Sequence, residues 1–445
     1  MTEQISWLPT RHRRDRLMRL DAAEILKRFY YLERALTLAC AGWVPDVSRL
    51  ESKALLGRAA WQNAMTADAS RTRVLELRYP DRTLEVGDDT GLVRLFEAAL
   101  NAPSGAALLA AMERVFIPAL RAGYEEYLRV TDDIADGPSR RFLEVAVREK
   151  NAQQGEFRKA AEIELGVRSG LRDEAQEWVN NLAALLERLG GVRLEAPPSG
   201  VEVPEVVEPG RHYRVIQHPA RDDRYFVSDG FYWPDNFDPD FGYGEGFRLQ
   251  LRSAIAHLNE VWAVETAGVL LAGFADELGW EFVVDAARWL YDECRHMLMG
   301  KERLEAWGFD PAHVPLGGYI YQACENQDLI YRLGMLGYFE TKNIGKKQVR
   351  AREFAEHGDR TSQRDMDFDW ADEALHAGYG RKWLRRALEV RGENPESWRG
   401  VLKRCEELAN ARIERATEEE KEAVRACAEA LIADAERVMA QAHKG

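Results

Sequence analysis

Two of the nine histidines follow a glutamate by three positions, in Glu293-Cys294-Arg295-His296 and Glu373-Ala374-Leu375-His376. On a helix, positions i and i+3 share a face, so each pair can grip a metal ion from one side. One such pair arises by accident in a chain of ordinary glutamate content, but two in matching contexts say more. Both are preceded by an aspartate, Asp292 and Asp372. A dinuclear site of this kind also needs one glutamate from each of two further helices. Glu260 stands 33 residues before Glu293, and Glu340 stands 33 before Glu373. The equal spacing predicts two similar helical hairpins.

Glu265 competes with Glu260 for the first of these places. The turn between the first two helices centres near Glu277, and antiparallel partners at one height lie equally far from it. Glu260 is 17 residues away and Glu293 is 16, whereas Glu265 is only 12. At about 1.5 Å rise per residue, Glu265 sits roughly 6 Å too low, which favours Glu260 and leaves Glu265 as the alternate. The neighbours of these residues are small or apolar, among them Val261, Trp262, Trp289, Leu290, Met297, Tyr338 and Phe339. A carboxylate on a core-facing stripe needs a partner, and a metal pair serves four of them at one level. The bland alternative is a set of surface residues that share helical spacing by chance.

The stretches NEVWAVETAG, YDECRHMLMGKERL, GYFETKNIG and WADEALHAGYGRKWL resemble the four helices of the ferritin-like superfamily of carboxylate-bridged dinuclear iron proteins. In motif order, and in the intervening LEAWGFDPAHVPLGGY, they most resemble a little-characterised bacterial family of ferritin-like proteins. The resemblance implies that Glu260, Glu293 and His296 serve mainly one metal, and Glu340, Glu373 and His376 the other. It makes Glu293 and Glu373 the bridging carboxylates and gives Asp292 and Asp372 the task of holding a ligand histidine. Hard oxygen donors with one imidazole per ion suit iron, manganese or a mixed pair. The activity implied is an oxidoreductase that activates dioxygen to oxidise a small organic substrate, with a reductase or ferredoxin and a second copy of the chain as candidate partners. The alternatives are a metal-binding or iron-handling protein without an organic substrate, and a structural or interaction protein on an old bundle. Asp369, one turn before Glu373, departs from the pattern. It reads either as an additional ligand or base or, more readily, as a solvated aspartate in the charged run RDMDFDWADE.

The elements that must position these residues are helices, and the predicted fold class is all-α. Helical patterning covers about 246–277, 280–307, 322–357, 364–391, 395–415 and 417–443, so a four-helix bundle is expected over 246–391, followed by C-terminal helices over 392–445. Residues 196–245 read as a linker or lid, first APPSGVEVPEVVEPG, then a segment dense in aromatics (Tyr225, Phe226, Phe231, Tyr232, Trp233, Phe237, Phe241, Tyr243). Those aromatics fit a lid over the site and an interface between halves equally well. Gly242-x-Gly244-x-Gly246 lacks the preceding strand and the lysine of a phosphate loop and reads as flexible chain.

Residues 1–195 read as a second helical bundle, over 21–42, 46–75, 91–100, 105–131 and 138–190, with a short strand pair over VLELRYPDRTLEV (74–86). AEILKRFYYLERAL, RLESKALLGRAAWQNAM, IPALRAGYEEYLRV and DGPSRRFLEVAVREKNAQ mimic the four helices of the later bundle. Where a ligand histidine belongs after Glu149 there is Ala152, and WQNAMT holds neither Glu nor His. The expectation is a degenerate first copy without metal; an unrelated helical domain is the plainer reading.

The net charge of −14 over 445 residues argues against a nucleic-acid partner, and a basic stretch from Arg11 to Arg19 reads as a solvated arm. No apolar run is long enough for a membrane span. With no signal core behind the first basic residues, a cytoplasmic protein is expected. Five scattered cysteines without a C-x-x-C read as reduced thiols.

Overall fold

Helices account for most of the chain in the computed structural model, which describes residues 17–167, 170–198, 200–201, 213–228 and 230–442. Arg11–Arg16 of the basic stretch and much of the Pro- and Val-rich segment lie outside them. The protein is all-α apart from one pair of two-residue strands among the described residues. No described helix is long and apolar enough to cross a membrane.

The chain forms two compact units. The first takes Met1–Trp43 and Ala59–Arg214, the second Val44–Arg58 and Val215–Gly445. The boundary therefore falls at 214/215 instead of 195. Residues 44–58, expected in the N-terminal bundle, belong with the second unit, as do the helices after 391 that were read as a separate C-terminal part.

In the first unit lie α1 (Arg19–Gly42), most of α2 (Leu50–Leu77), α3 (Thr90–Glu97), α4 (Gly105–Ala111), α5 (Ile117–Val130), α6 (Asp133–Val167) and α7 (Leu171–Arg188). Local signals set several ends. Ser104 caps α4 by accepting from the Ala107 amide at 3.2 Å. Gly170, at φ +89°, separates α6 from α7, where one helix over 138–190 was expected. The strand pair over 74–86 does not form. Helix α2 runs through Leu77, and the residues after it have no strand beside them to complete a ladder.

The second unit holds β1 (Phe226–Val227), α8 (Phe247–Asn259), α9 (Val261–Leu278), α10 (Trp280–Ala306), β2 (Pro315–Leu316), α11 (Tyr319–Ala323), α12 (Leu329–Glu356), α13 (Arg360–Val390), α14 (Trp398–Glu414) and α15 (Glu418–Ala442). Strands β1 and β2 pair in parallel. Gly279, at φ +81°, turns α9 back into α10. Helices α9, α10, α12 and α13 pack on one another, with α8 along α10 and α14 along α12. Two close approaches set the spacing. An added Cβ on Gly380 of α13 would come within 2.9 Å of the Gly337 Cα of α12. One on Gly300 of α10 would meet the Leu258 backbone nitrogen at 2.2 Å. Only glycine permits these crossings, and each lies one turn from a candidate ligand.

Candidate metal centre

The expected continuous helix over 246–277 is broken at Glu260, whose ψ of 0° ends α8 and starts α9. The break turns the Glu260 side chain toward α10. There Glu260, Glu293 and His296 offer donor atoms that all lie within 4.8 Å of one another. So do Glu293, Glu340 and His376, and so do His296, Asp369 and Glu373. All six residues singled out by spacing are brought together, and Glu293 is common to two groups. Glu373 groups with His296 and Asp369 instead of with Glu340.

The two histidines are held crosswise. Asp372 Oδ2 lies 3.3 Å from His296 Nε2, and Asp292 Oδ2 lies 3.4 Å from His376 Nε2. Each aspartate thus serves the histidine of the other motif. A carboxylate on Nε2 keeps the hydrogen there in the neutral ring, so Nδ1 presents its lone pair to the glutamates. Arg288 and Arg295 bind both aspartates and fix them in turn. Trp289 donates to Glu293 Oε1 at 3.0 Å and stacks on His376.

At the centre the hydrogen bonding stops. His296 Nδ1, His376 Nδ1, Glu260 Oε2 and Glu373 Oε2 are all buried without a hydrogen-bond partner. His296 Nδ1 is 3.4 Å from Glu260, 3.6 Å from Glu293 and 3.6 Å from Asp369. His376 Nδ1 is 3.3 Å from Glu293 and 3.9 Å from Glu340. Two donors each about 2.0–2.2 Å from a shared ion stand roughly 3–3.5 Å apart, so these separations fit ligands of a common metal. The donor set fits as well, being carboxylate and imidazole without thiolate.

The titration behaviour reflects the same crowding. Burial pushes the Glu293 carboxyl up, but the neighbouring His296 and His376 outweigh it and hold it at about 2. Burial, aided by the Glu293 charge, raises Glu373 to about 8. Burial disfavours charge on His376, yet Asp292 and Glu293 raise it to about 9. His296 is likewise raised well above its ordinary value against its burial, by Asp369, Asp372, Glu260 and Glu293. Without metal, protons take the places that cations would fill.

Glu265 does not join the cluster. It is fully buried one helical turn away, paired with Lys53 at 3.1 Å and with Arg221. Asp369 is not a solvated aspartate. It is fully buried, and despite that burial Lys347, His296 and His257 hold its carboxyl well below the usual range. Sequence reasoning missed Lys347, His257 and Arg303. Lys347 Nζ sits 2.6 Å from Asp369, touches Glu373 and lies 3.9 Å from Glu260. Arg303 donates to His257 Nδ1, so His257 donates to Asp369 from Nε2, at 3.0 Å. Lys347 follows Glu340 by seven positions, two turns on the same helix face, and His257 precedes Glu260 by three; that periodicity was the available signal.

The cluster opens on a cavity of about 300 Å³, also lined by Tyr232 and Tyr243 of the aromatic segment and by Ala409 and Ile413 of α14. Phe231 of the same segment packs on Tyr319 and Phe237.

Residues 216–423 match the family model described as "Protein of unknown function (DUF455)". No curated protein and no solved structure matches the chain. The DUF455 match begins just past the boundary between the units and ends within α15. It contains every residue of the buried cluster and all of the cavity wall named above.

Proposed function

We propose that the second unit is a ferritin-like four-helix bundle holding two divalent metal ions, iron before manganese, and that it oxidises a small organic substrate with dioxygen. The observation that carries this reading is the set of four buried, unpartnered donor atoms aimed at one centre. Leaving such atoms unmet costs about 1–3 kcal/mol each, and more when charged. Charge supports it too. Against the five carboxylates of Glu260, Glu293, Glu340, Asp369 and Glu373 the cluster sets one ammonium, that of Lys347, which pairs with Asp369 and Glu373. With neutral imidazoles this leaves four negative charges, which two divalent cations balance.

Glu260, Glu293, His296, Glu340, Glu373 and His376 would hold the ions, with Asp369 as a seventh donor. Reduced iron bound there would supply electrons to dioxygen, a chemistry that is the metal's own. The chain's part is to fix and shield. Asp292 and Asp372 orient the imidazoles, Trp289 orients Glu293, and Lys347 sets its Nζ beside Glu373 at the cavity wall. The cavity favours an enzyme over an iron-handling protein, since storage needs no organic pocket.

Oxygen consumption by iron-loaded full-length protein, given a chemical reductant, tests the reading. Uptake above that of free iron, lost in Glu293→Ala and His376→Ala, is the expected result. Uptake unchanged in both variants would overturn it.

A further inference from the structure

The cavity beside the cluster has a second end of opposite character. In a chain of net charge −14, its wall also carries Arg252, Lys342, Lys346 and Arg350, with Asp235 as the carboxylate among them. Arg252 is buried, and it donates to Asp235 through Nε and Nη2 at 2.8 and 2.9 Å. Its Nη1 is shielded from solvent and has no partner. Ser253 Oγ, the next residue on α8, is also buried, unpartnered and on the cavity wall. Buried donors with unused hydrogens are costly unless a ligand meets them. Lys346 and Arg350 lie one turn apart on α12 and have no carboxylate partner among the described residues. The guanidinium groups of Arg252 and Arg350 both stack on Tyr243, at 5.2 and 4.8 Å from its ring centre, which holds the two charges at one end. Tyr232 joins Tyr243 at this end, its ring centre 5.6 Å from the Arg252 guanidinium, so the cationic groups stand among aromatic rings of the cavity wall.

We propose that this cavity binds a small organic anion, with its carboxylate or phosphate head at Arg252, Ser253, Lys346 and Arg350 and its apolar body against Tyr232 and Tyr243. Guanidinium groups suit such a head because they donate in pairs to its oxygens. An ammonium-bearing ligand meets like charge at that end, and a neutral one leaves the donors unmet. The cavity volume suits a small molecule. This deepens the function proposed above by naming its substrate class; oxidation of the bound body rests on that reading, while anion binding does not.

Calorimetric titration of the full-length, metal-loaded protein with phenylacetate, phenyl phosphate, inorganic phosphate and benzyl alcohol tests it. The aromatic anions bind, benzyl alcohol binds at least about tenfold more weakly, and the better of the two anions identifies the head; tenfold is less than one lost charge-assisted bond predicts. Lys346→Ala with Arg350→Ala, both at solvent-reached positions, weakens the anions by about tenfold or more and leaves benzyl alcohol unchanged; Arg350→Lys recovers part of the loss. Equal binding of benzyl alcohol, no binding of either aromatic anion, or unchanged anion binding by the double variant overturns the proposal. Metal analysis of the same samples separates the readings. Anion binding without metal overturns the metal centre alone, and two metals without anion preference overturns the anion site alone.

Discussion

Both units bury a polar cluster at a meeting of four helices or more, and these two clusters close in different ways. In the first unit, Glu33 of α1 accepts from Tyr124 of α5 at 2.5 Å and from Lys150 of α6 at 2.9 Å. Lys150 also donates to Asn63 of α2 at 2.6 Å. One carboxylate and one ammonium neutralise each other, and the Glu33 oxygens are both met. In the second unit, helices again converge on a buried centre, but carboxylates outnumber the single ammonium and four donor atoms face inward unmet. An ion pair satisfies itself, whereas a carboxylate cluster requires cations from outside. The first unit has the chemistry of a structural core, the second that of a binding site.

The sharpest way to break the comparison is to remove the ammonium from the first cluster. Lys150→Ala leaves Glu33 buried with its charge unpaired, and the expected destabilisation is about 3–5 kcal/mol, read from denaturant unfolding. Metal content per folded chain stays unchanged. A loss below about 1 kcal/mol shows that water or another cation reaches Glu33, and the contrast collapses.

The matching change in the second cluster has little effect on the metal-free protein. Glu373, at about 8, is already largely protonated at pH 7, so Glu373→Gln alters metal-free stability by less than about 1 kcal/mol. Metal affinity falls at least about 10- to 100-fold, the loss typical of an outer partner and a lower bound for a ligand.

The same shifts set a pH dependence. The folded-state value of His376, about 9, lies above its ordinary 6.5. Its contribution to metal-free stability is therefore complete below about pH 6.5 and lost as pH rises through 9. Glu373 is raised in the same sense, from 4.5 to about 8, and its contribution fades over that lower window. Melting of the metal-free protein thus declines from pH 6.5 to 9, while the metal-loaded protein holds steady because binding has already displaced those protons. Parallel pH profiles for the two forms contradict this.

A smaller effect is expected at the crossing of α12 and α13. Gly380→Ala forces its Cβ to within 2.9 Å of the Gly337 backbone and costs about 1–3 kcal/mol. Because His376 and Glu340 each lie one turn from the contact, metal affinity drops with it. Retained affinity at reduced stability shows that the crossing is scaffold alone.

Much of the centre was legible because helical periodicity converts directly into geometry. Glu260, Glu293, His296, Glu340, Glu373 and His376 converge as their spacing indicates, and the height argument that preferred Glu260 to Glu265 agrees with the structure. The four N-terminal segments quoted above for their likeness to the bundle each contribute one member of the Glu33 cluster. The inward-facing residue beside Ala152 is Lys150, not Glu149, a one-position rotation that pattern reading does not resolve. Asp369 was misjudged because a charged run is ordinarily a solvated face, and its two buried partners, Lys347 and His257, come from other helices. The break at Glu260 was invisible because nothing in the local sequence forbids a continuous helix there. The boundary between the units was missed for a similar reason, since residues 44–58 join the second unit through long-range contacts such as Lys53 with Glu265.

The central claim is that the second cluster is a dinuclear metal site. Elemental analysis of full-length protein loaded with ferrous iron under anaerobic conditions and then desalted tests it most directly. The account predicts two ions per chain, a large loss in Glu260→Ala, and full occupancy per folded chain in Glu265→Ala. One zinc per chain, no bound metal, or loss in Glu265→Ala with full occupancy in Glu260→Ala would contradict it.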